Sequence, residues 1–242
     1  MNFFKIFDRY EIRARYIPAI LASLPMIILS GFVKKDVWLS LFQNVEFFLF
    51  FENVSLGLMF IFLLINIQRG LGKYLFEEHI FNSGKDFPTT IILLHSDTSL
   101  SIQIKEKYRK KIEGEFGLHL FSKEEELENI EEAKKIIRDA VNLVRKKVGD
   151  GDKTLQYNIY YGFFRNLIGG ALLAIPITIF NAISFNQNNN SFGMWVSEVI
   201  GLGFLALIIF NKQILNYFGK EYAECLMSEY LIINEGGKNA HS

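Results

Sequence analysis

A nearly continuous apolar run from Glu46 to Gln68 constrains the fold of this chain more than any other feature. The run reads EFFLFFENVSLGLMFIFLLINIQ, and a helix of about 20 such residues crosses a bilayer. Inside it lies one carboxylate, Glu52, with Asn53 beside it. A charged acid deep in hydrocarbon costs roughly 2.5–3.5 kcal/mol on insertion scales. We therefore expect Glu52 to face water, a cation or another protein segment rather than lipid.

The composition indicates that charge is segregated along the chain. Half of the 242 residues are hydrophobic, 24 of them Phe, yet 21% are charged and the net charge is zero. A zero net charge provides no global basic field that would favour nucleic acid. The single cysteine, Cys225, excludes an intramolecular disulfide and cysteine-rich zinc sites. We predict no cofactor and no metal.

Four apolar stretches predict a mainly α membrane protein with four transmembrane helices in two hairpins. Pro25 is expected to kink the first span, and the adjacent Gly169 and Gly170 allow close helix approach in the third. A helical cytoplasmic insert containing about one strand separates the hairpins. The predicted segments are an interfacial N-terminal helix (1–15), hairpin 1 (16–68), the insert (69–166), hairpin 2 (167–210), a C-terminal amphipathic helix (211–233) and a disordered tail (234–242).

The insert begins with a β-branched, apolar segment, Phe87–His95, that is typical of a buried strand. Asp97 is then expected to cap a helix that ends at Phe116, before Gly117. A capping box, Ser122-Lys123-Glu124-Glu125, starts the next helix, which should run to Val148.

That last helix of the insert carries an apolar seam at alternating three- and four-residue steps. The seam either pairs with the same helix of another subunit or packs within the insert. Because one subunit has few elements to cover it, oligomerisation is favoured. The seam residues are Leu127, Ile130, Ile137, Val141, Val144 and Val148.

The distribution of Lys and Arg predicts the orientation in the membrane. The N-terminal flank carries four such residues before Tyr16, and the insert and the C-terminal flank are basic near the spans. The first loop has only Lys34 and Lys35, and the Asn-rich loop 186–190 has none. Cytoplasmic loops carry the excess of positive charge. We therefore expect a multi-pass protein of the bacterial inner membrane with both termini cytoplasmic.

The acids and amides of the second span are the candidate pore-lining residues: Glu46, Glu52, Asn53 and Asn66. In an oligomer, one copy of Glu52 from each subunit would form a carboxylate ring that replaces part of a cation's hydration shell. Glu46, and Glu198 in the last span, are more simply explained as interfacial residues. Asn53 and Asn66 also have the alternative of hydrogen bonds to neighbouring helices.

A basic cluster on the helix that ends at Phe116 is the candidate ligand site. Phosphates are held by such clusters, but a solvated helix face balanced by Glu106, Glu113 and Glu115 is the more common explanation of such a cluster. The candidate ligand-binding residues are Lys105, Lys107, Arg109, Lys110 and Lys111, with Arg165 before the third span.

Catalysis is not indicated by any motif in the sequence. The chain has no Gly-rich phosphate loop, no HExxH and no nucleophile elbow, and its four His are scattered. Gly149-Asp150-Gly151-Asp152 is interpreted as a linker, because no further metal ligand follows at the expected spacing. We predict that the protein is not an enzyme.

Several short segments carry a resemblance to a family of small bacterial membrane proteins: Arg13-Ala14-Arg15-Tyr16-Ile17-Pro18-Ala19, Leu71-Gly72-Lys73, Phe87-Pro88-Thr89-Thr90 and Tyr161-Gly162-Phe163-Phe164-Arg165-Asn166-Leu167. The chain resembles the membrane effectors that are encoded beside nucleotidyltransferases in anti-phage defence, in particular the Hailong-type effector channel. This resemblance implies a homo-oligomeric channel, for which a tetramer is our guess. It also implies a nucleotide or single-stranded oligonucleotide ligand that is made by the partner nucleotidyltransferase.

The sequence thus favours an oligomeric ion channel or pore in the lipid bilayer, gated by a nucleotide or oligonucleotide signal and acting as an anti-phage effector. The alternative is a membrane-anchored sensor or scaffold that recruits a cytoplasmic partner and has no pore.

Overall fold

The computed structural model describes residues 9–32, 54–149 and 151–233, which are mainly helical and contain no strand. The main helices are α1 (Ile17–Phe32), α2 (Val54–Leu71), α3 (Pro88–Ile91), α4 (Ile102–Phe116), α5 (Lys123–Glu128), α6 (Ile130–Val148), α7 (Asp152–Gln187), α8 (Ser191–Ile209) and α9 (Asn211–Ile232). Shorter pieces are Arg9–Glu11, the π-helical segments Ile12–Tyr16 and Gly72–Glu77, Glu78–Ile80 and the 3-10 turn Asn82–Gly84.

The chain divides into two compact units. Unit 1 comprises Met1–Phe76 and Gly162–Gln213, and unit 2 comprises Glu77–Tyr161 and Ile214–Ser242. The C-terminal helix α9, expected as a separate element, therefore contributes most of its length to the unit that contains the insert. Each unit is described below by itself.

Two helices in the described part of the chain are long and apolar enough to cross a membrane. They are Lys153–Gln187 and Ser191–Ile209, whose most apolar windows have mean hydropathies of 1.9 and 2.0. They correspond to the predicted second hairpin. The predicted first hairpin (16–68) includes residues 33–53, which lie outside the described ranges.

Glycine packing brings α2 and α7 together in unit 1. A Cβ on Gly169 would lie 2.1 Å from the Gln68 carbonyl oxygen and 2.5 Å from the Gly72 nitrogen. A Cβ on Gly170 would lie 2.7 Å from the Cβ of Ala22 in α1. Only glycine permits backbones to approach this closely. The close approach predicted for Gly169 and Gly170 is thus confirmed.

The apolar seam of α6 forms much of the core of unit 2. Ile137, Val141 and Val144 are buried, and Leu226 and Met227 of α9 belong to the same apolar cluster. The seam is therefore covered within the chain at these positions, and these residues need no second subunit to bury them. The N-terminal seam residue behaves differently, since Leu127 is 78% exposed.

The predicted strand Phe87–His95 is wrong. Phe87 is extended, Pro88 then starts α3, and turns follow as far as Asp97. A single strand leaves its backbone N–H and C=O groups unpaired when buried. A helical turn pairs them locally, with the amide of Ile92 donating to the Pro88 carbonyl at 3.0 Å. Proline is well suited to this first helical position.

The helix boundaries of the insert agree with the sequence at Gly117 and at Ser122. Gly117 adopts a φ of 64° after α4, and Ser122 and Glu125 form the predicted capping box. Two other predictions are wrong. The cap of α4 is Ser101 and not Asp97, and the helix expected to run without interruption to Val148 breaks at Asn129, which caps α6.

Candidate functional site

An amide side chain replaces a hydrogen bond that proline removes from the first helix of unit 1. Pro18 has no N–H, so the Ala14 carbonyl four residues earlier loses its α-helical partner. Asn166 of α7 is fully buried and donates its Nδ2 to that carbonyl at 2.6 Å. Membrane helices commonly satisfy a proline-freed group through a neighbouring helix in this way.

Two further buried amides hold the same helical segment. Gln68 of α2 donates to the Arg15 carbonyl at 3.1 Å, and Asn181 of α7 donates to the Pro25 carbonyl at 2.7 Å. The amide oxygens of Gln68 and Asn181 are buried without a hydrogen-bond partner. Gln68 ends the predicted second span. Asn181 is not among the predicted site residues, although a lone amide in an apolar stretch is a signal that the sequence carries.

The surface of unit 1 is rich in large apolar side chains. Only 17% of the apolar window of α8 is buried. The core helix of a water-soluble domain would be mostly buried, and α8 is also far from the N-terminus, where a signal sequence would lie. Exposed large apolar residues of α2, α7 and α8 include Met59, Phe62, Ile67, Ile179, Phe180, Ile183, Trp195, Val199, Leu202 and Ile209.

Of the candidate pore residues, Glu46, Glu52 and Asn53 lie outside the described residues. Asn66 lies on the exposed side of α2, where its Nδ2 donates to the Phe62 carbonyl at 2.8 Å. Its donor is therefore bonded within its own helix, an arrangement compatible with either a lipid or a water environment.

The basic cluster on α4 does not form one exposed surface. Arg109 is buried and donates Nη1 to the Leu93 carbonyl at 2.7 Å and Nη2 to the Phe121 carbonyl. Lys105 is also buried and donates to the carbonyls of Leu94, at 2.5 Å, and Asp97. These two cations bind the backbone of the loop that follows α3.

Glu126 completes the pairing of that loop. Its buried carboxylate accepts hydrogen bonds from the backbone N–H groups of His95, at 3.0 Å, and Ser96, at 3.2 Å. Burial lowers the pKa of both Lys105 and Arg109, and Glu126 acts in the opposite direction on each. A segment with no strand partner thus has its backbone bound by three charged side chains.

The remaining basic residues are distributed differently. Lys111 donates to the carbonyls of Tyr230, at 2.7 Å, and Ile233, at 2.6 Å, near the end of α9. Cations stabilise helix C-termini in this position. Lys107 and Lys110 are exposed and lie three residues apart on one face of α4.

Arg165 belongs to unit 1, whereas the α4 cluster belongs to unit 2. Its Nε donates to the Asn166 side-chain oxygen at 3.4 Å, and its backbone carbonyl lies 2.3 Å from where a Cβ on Gly72 would be. The structure therefore relates Arg165 to helix packing in unit 1.

Unit 2 has an open cleft between α3 and α9. Its charged lining consists of Asp86, Asp97 and Glu224 against one cation, Lys220. Asp86 already pairs with Lys134 at 2.6 Å. The negative excess makes this cleft a poor site for a phosphate, so the exposed pair Lys107 and Lys110 is the better remaining candidate.

No family model, no curated protein and no solved structure matches the chain.

Proposed function

We propose that the protein is an oligomeric ion channel of the bacterial inner membrane, gated by a nucleotide or oligonucleotide signal, and that it acts as an anti-phage effector. In this proposal unit 1 conducts ions and unit 2 receives the signal in the cytoplasm. Opening depolarises the membrane and stops growth of the infected cell.

The observation that carries the proposal is the outward apolar surface of unit 1, above all on α8. A helix with a mean hydropathy of 2.0, of which 17% is buried, requires an apolar environment. Basic side chains flank the apolar helices, which supports cytoplasmic placement of these ends. The exposed ones are Arg9, Arg13, Arg69, Lys73 and Lys212.

The ligand part of the proposal rests on Lys107 and Lys110. Lys105, Arg109 and Lys111 bind backbone carbonyls, so replacing all five cations would disrupt unit 2 whether or not a ligand binds. The double variant Lys107→Ser/Lys110→Ser removes only exposed charge. Lys123→Ser/Lys146→Ser is the matched control, because both of these lysines are also exposed.

Ion flux in proteoliposomes tests the channel. Purified wild-type protein is expected to release a trapped cation at a rate that short mixed-sequence single-stranded DNA, or ATP, changes in either direction. Absence of flux with and without these probes, from protein shown to be incorporated, would contradict a channel.

DNA binding to the same protein tests the ligand site separately. We expect Lys107→Ser/Lys110→Ser to weaken binding and to reduce its salt dependence, since each lost phosphate contact reduces the slope by about 0.7 for single strands. The Lys123→Ser/Lys146→Ser control should bind as the wild type does. Equal binding by both variants would remove the α4 pair from the site.

A scaffold without a pore is the second candidate, favoured by two large apolar side chains on the surface of unit 2. Ile102 is 76% exposed and Leu127 is 78% exposed. A partner that bound there would be lost in Ile102→Ser or Leu127→Ser variants, and ion flux would be absent in the wild type.

A further inference from the structure

A carboxylate lies on the exposed apolar face of α8, and no part of the described chain forms an ion pair with it. Glu198 is exposed, as are Trp195 three residues before it and Leu202 four residues after it. With Leu205 and Ile209 these residues follow steps of three and four along the helix, so they share one face. We call this set the Glu198 stripe.

The opposite side of α8 is the one that packs within unit 1. Gly193, Ser197 and Phe204 are buried there. A Cβ on Gly193 would lie 2.7 Å from the ring of Phe185, and one on Gly201 would lie 3.0 Å from the Thr178 hydroxyl. The contacts that α8 makes with α7 therefore lie away from the Glu198 stripe, as far as the described residues go.

In an α8 that spans the bilayer, as the proposed function requires, Glu198 lies inside the hydrocarbon. At about 1.5 Å per residue, its 19 residues rise about 28 Å, close to the roughly 30 Å of a bilayer core. The whole helix is then needed to cross. Glu198 lies seven residues after Ser191, which is about 10 Å from that end.

Lipid covers the apolar members of the stripe at no cost, but it does not solvate a carboxylate. The carboxylate requires water or a protein partner. A second copy of the chain removes the stripe from lipid, because closed symmetric oligomers bring the same face of every subunit around one axis. Since each copy adds a like charge, the carboxylates must face water at that axis. Carboxylates that converge in this way form the ring that attracts cations.

We infer that the Glu198 stripe of α8 is the surface through which copies of this chain associate, and that Glu198 lines the ion pathway they enclose. This inference rests on the proposed channel function and adds to it the helix that faces the axis. The sequence had favoured an interfacial role for Glu198.

Cross-linking between copies tests the surface without reference to conduction. In a Cys225→Ser background, Leu202→Cys is compared with Ile179→Cys, which is exposed on α7. Native membranes are treated with a short bismaleimide. A parallel sample is oxidised with membrane-permeant copper phenanthroline, which joins adjacent thiols inside the membrane as disulfides, so that Ile179→Cys is tested where a maleimide does not react. We expect Leu202→Cys to give covalent oligomers with both reagents and Ile179→Cys to remain monomeric with both. Equal cross-linking of the two, or none at Leu202→Cys, would overturn the association surface.

Flux selectivity tests the lining. In proteoliposomes, Glu198→Gln is expected to lower the cation-to-anion flux ratio several-fold, while Glu198→Asp retains the charge and keeps the ratio near that of the wild type. An unchanged ratio in Glu198→Gln would overturn the lining role while the channel itself stands. Covalent oligomers of Leu202→Cys, together with a wild-type protein that passes no ions, would instead contradict the proposed function and leave the surface intact.

Discussion

The two units bury different kinds of polar group. The buried polar side chains described in unit 1 are uncharged: Gln68, Asn166, Thr178, Asn181 and Ser197. Those of unit 2 include three charged groups, Lys105, Arg109 and Glu126, besides Thr89, Thr90 and Thr154. In unit 1 the partners of the amides are helix carbonyls, whereas in unit 2 the charged groups bind a loop.

The difference follows from the surroundings that each unit requires. A buried charge needs a counter-charge and hydrogen bonds to offset its desolvation, and Arg109 has both in Glu126 and the loop carbonyls. A helix bundle that exposes apolar surface needs only to satisfy the few carbonyls that proline or a π-helical segment frees, and a neutral amide does this at a lower desolvation cost. The polar interior of each unit thus matches its exterior.

Arg109→Met should produce the largest effect in unit 2. It leaves the Leu93 and Phe121 carbonyls unpaired and removes the compensating charge near Glu126. We therefore expect the free energy of unfolding of unit 2 to fall by about 3 kcal/mol. Hydrogen exchange of the 92–97 loop measures it. The control, Lys110→Met, removes an exposed cation from the same helix and should cost less than about 0.5 kcal/mol. Similar exchange in the two variants would show that the buried cation does not hold the loop.

Gly169→Ala is the corresponding test of packing in unit 1. The added Cβ would lie 2.1 Å from a backbone oxygen of α2, and backbone cannot move aside as a side chain does. We expect about 2 kcal/mol of destabilisation, seen as a lower thermal unfolding temperature in detergent. Gly203→Ala is the matched control, since nothing lies within 4 Å of its added Cβ. If Gly203→Ala were the more damaging of the pair, the assigned helix contact would be incorrect.

Asn166→Leu tests whether neutral amides stabilise unit 1. It leaves the proline-freed Ala14 carbonyl without its partner, and interhelical hydrogen bonds in membrane proteins contribute about 1 kcal/mol. We expect a modest fall in the same unfolding temperature. Asn188→Leu changes an exposed amide in the α7–α8 turn and should have no comparable effect. An unaltered unfolding temperature for Asn166→Leu would mean that the amide is dispensable.

The smallest effect is expected at the capping box of α5. The Glu125 carboxylate accepts a hydrogen bond from the Ser122 backbone N–H at 2.7 Å, and this bond holds the pKa of Glu125 below its ordinary value of 4.5. An acid with a lowered pKa in the folded state stabilises that state above its unfolded pKa, and the contribution is lost as the pH falls through the folded pKa. Hydrogen exchange in 123–128, corrected for intrinsic rates, should show α5 opening more readily in acid. Glu125→Gln should abolish that dependence, and its persistence there would assign the effect to another group.

The parts of the fold that the sequence predicted correctly are those with local causes. Gly117 ends α4 because only glycine readily takes its left-handed conformation, and Ser122 and Glu125 form their reciprocal bonds within four residues. The close helix approach at Gly169 and Gly170 is predictable because small residues in an apolar helix are typical of helix–helix contacts.

The sequence does not reveal which side chains pair with backbone groups far along the chain. The run after Phe87 resembled a strand, but its backbone is bound by Lys105, Arg109 and Glu126, which no spacing rule connects to it. Lys105 and Arg109 are among the predicted ligand-binding residues, but they bind backbone carbonyls. The sequence does not reveal this, because burial of a lysine or arginine against backbone carbonyls leaves no local pattern.

Cysteine labelling in intact membranes tests the division between two environments most directly. In a Cys225→Ser background, Leu127→Cys of unit 2 and Ile179→Cys of unit 1 place thiols at positions that are 78% and 57% exposed. A water-soluble maleimide should react with Leu127→Cys in inverted vesicles and with Ile179→Cys only after the membrane is dissolved, because a thiolate does not form in lipid. Reaction of Ile179→Cys at the rate of Leu127→Cys, with the membrane intact, would contradict the account.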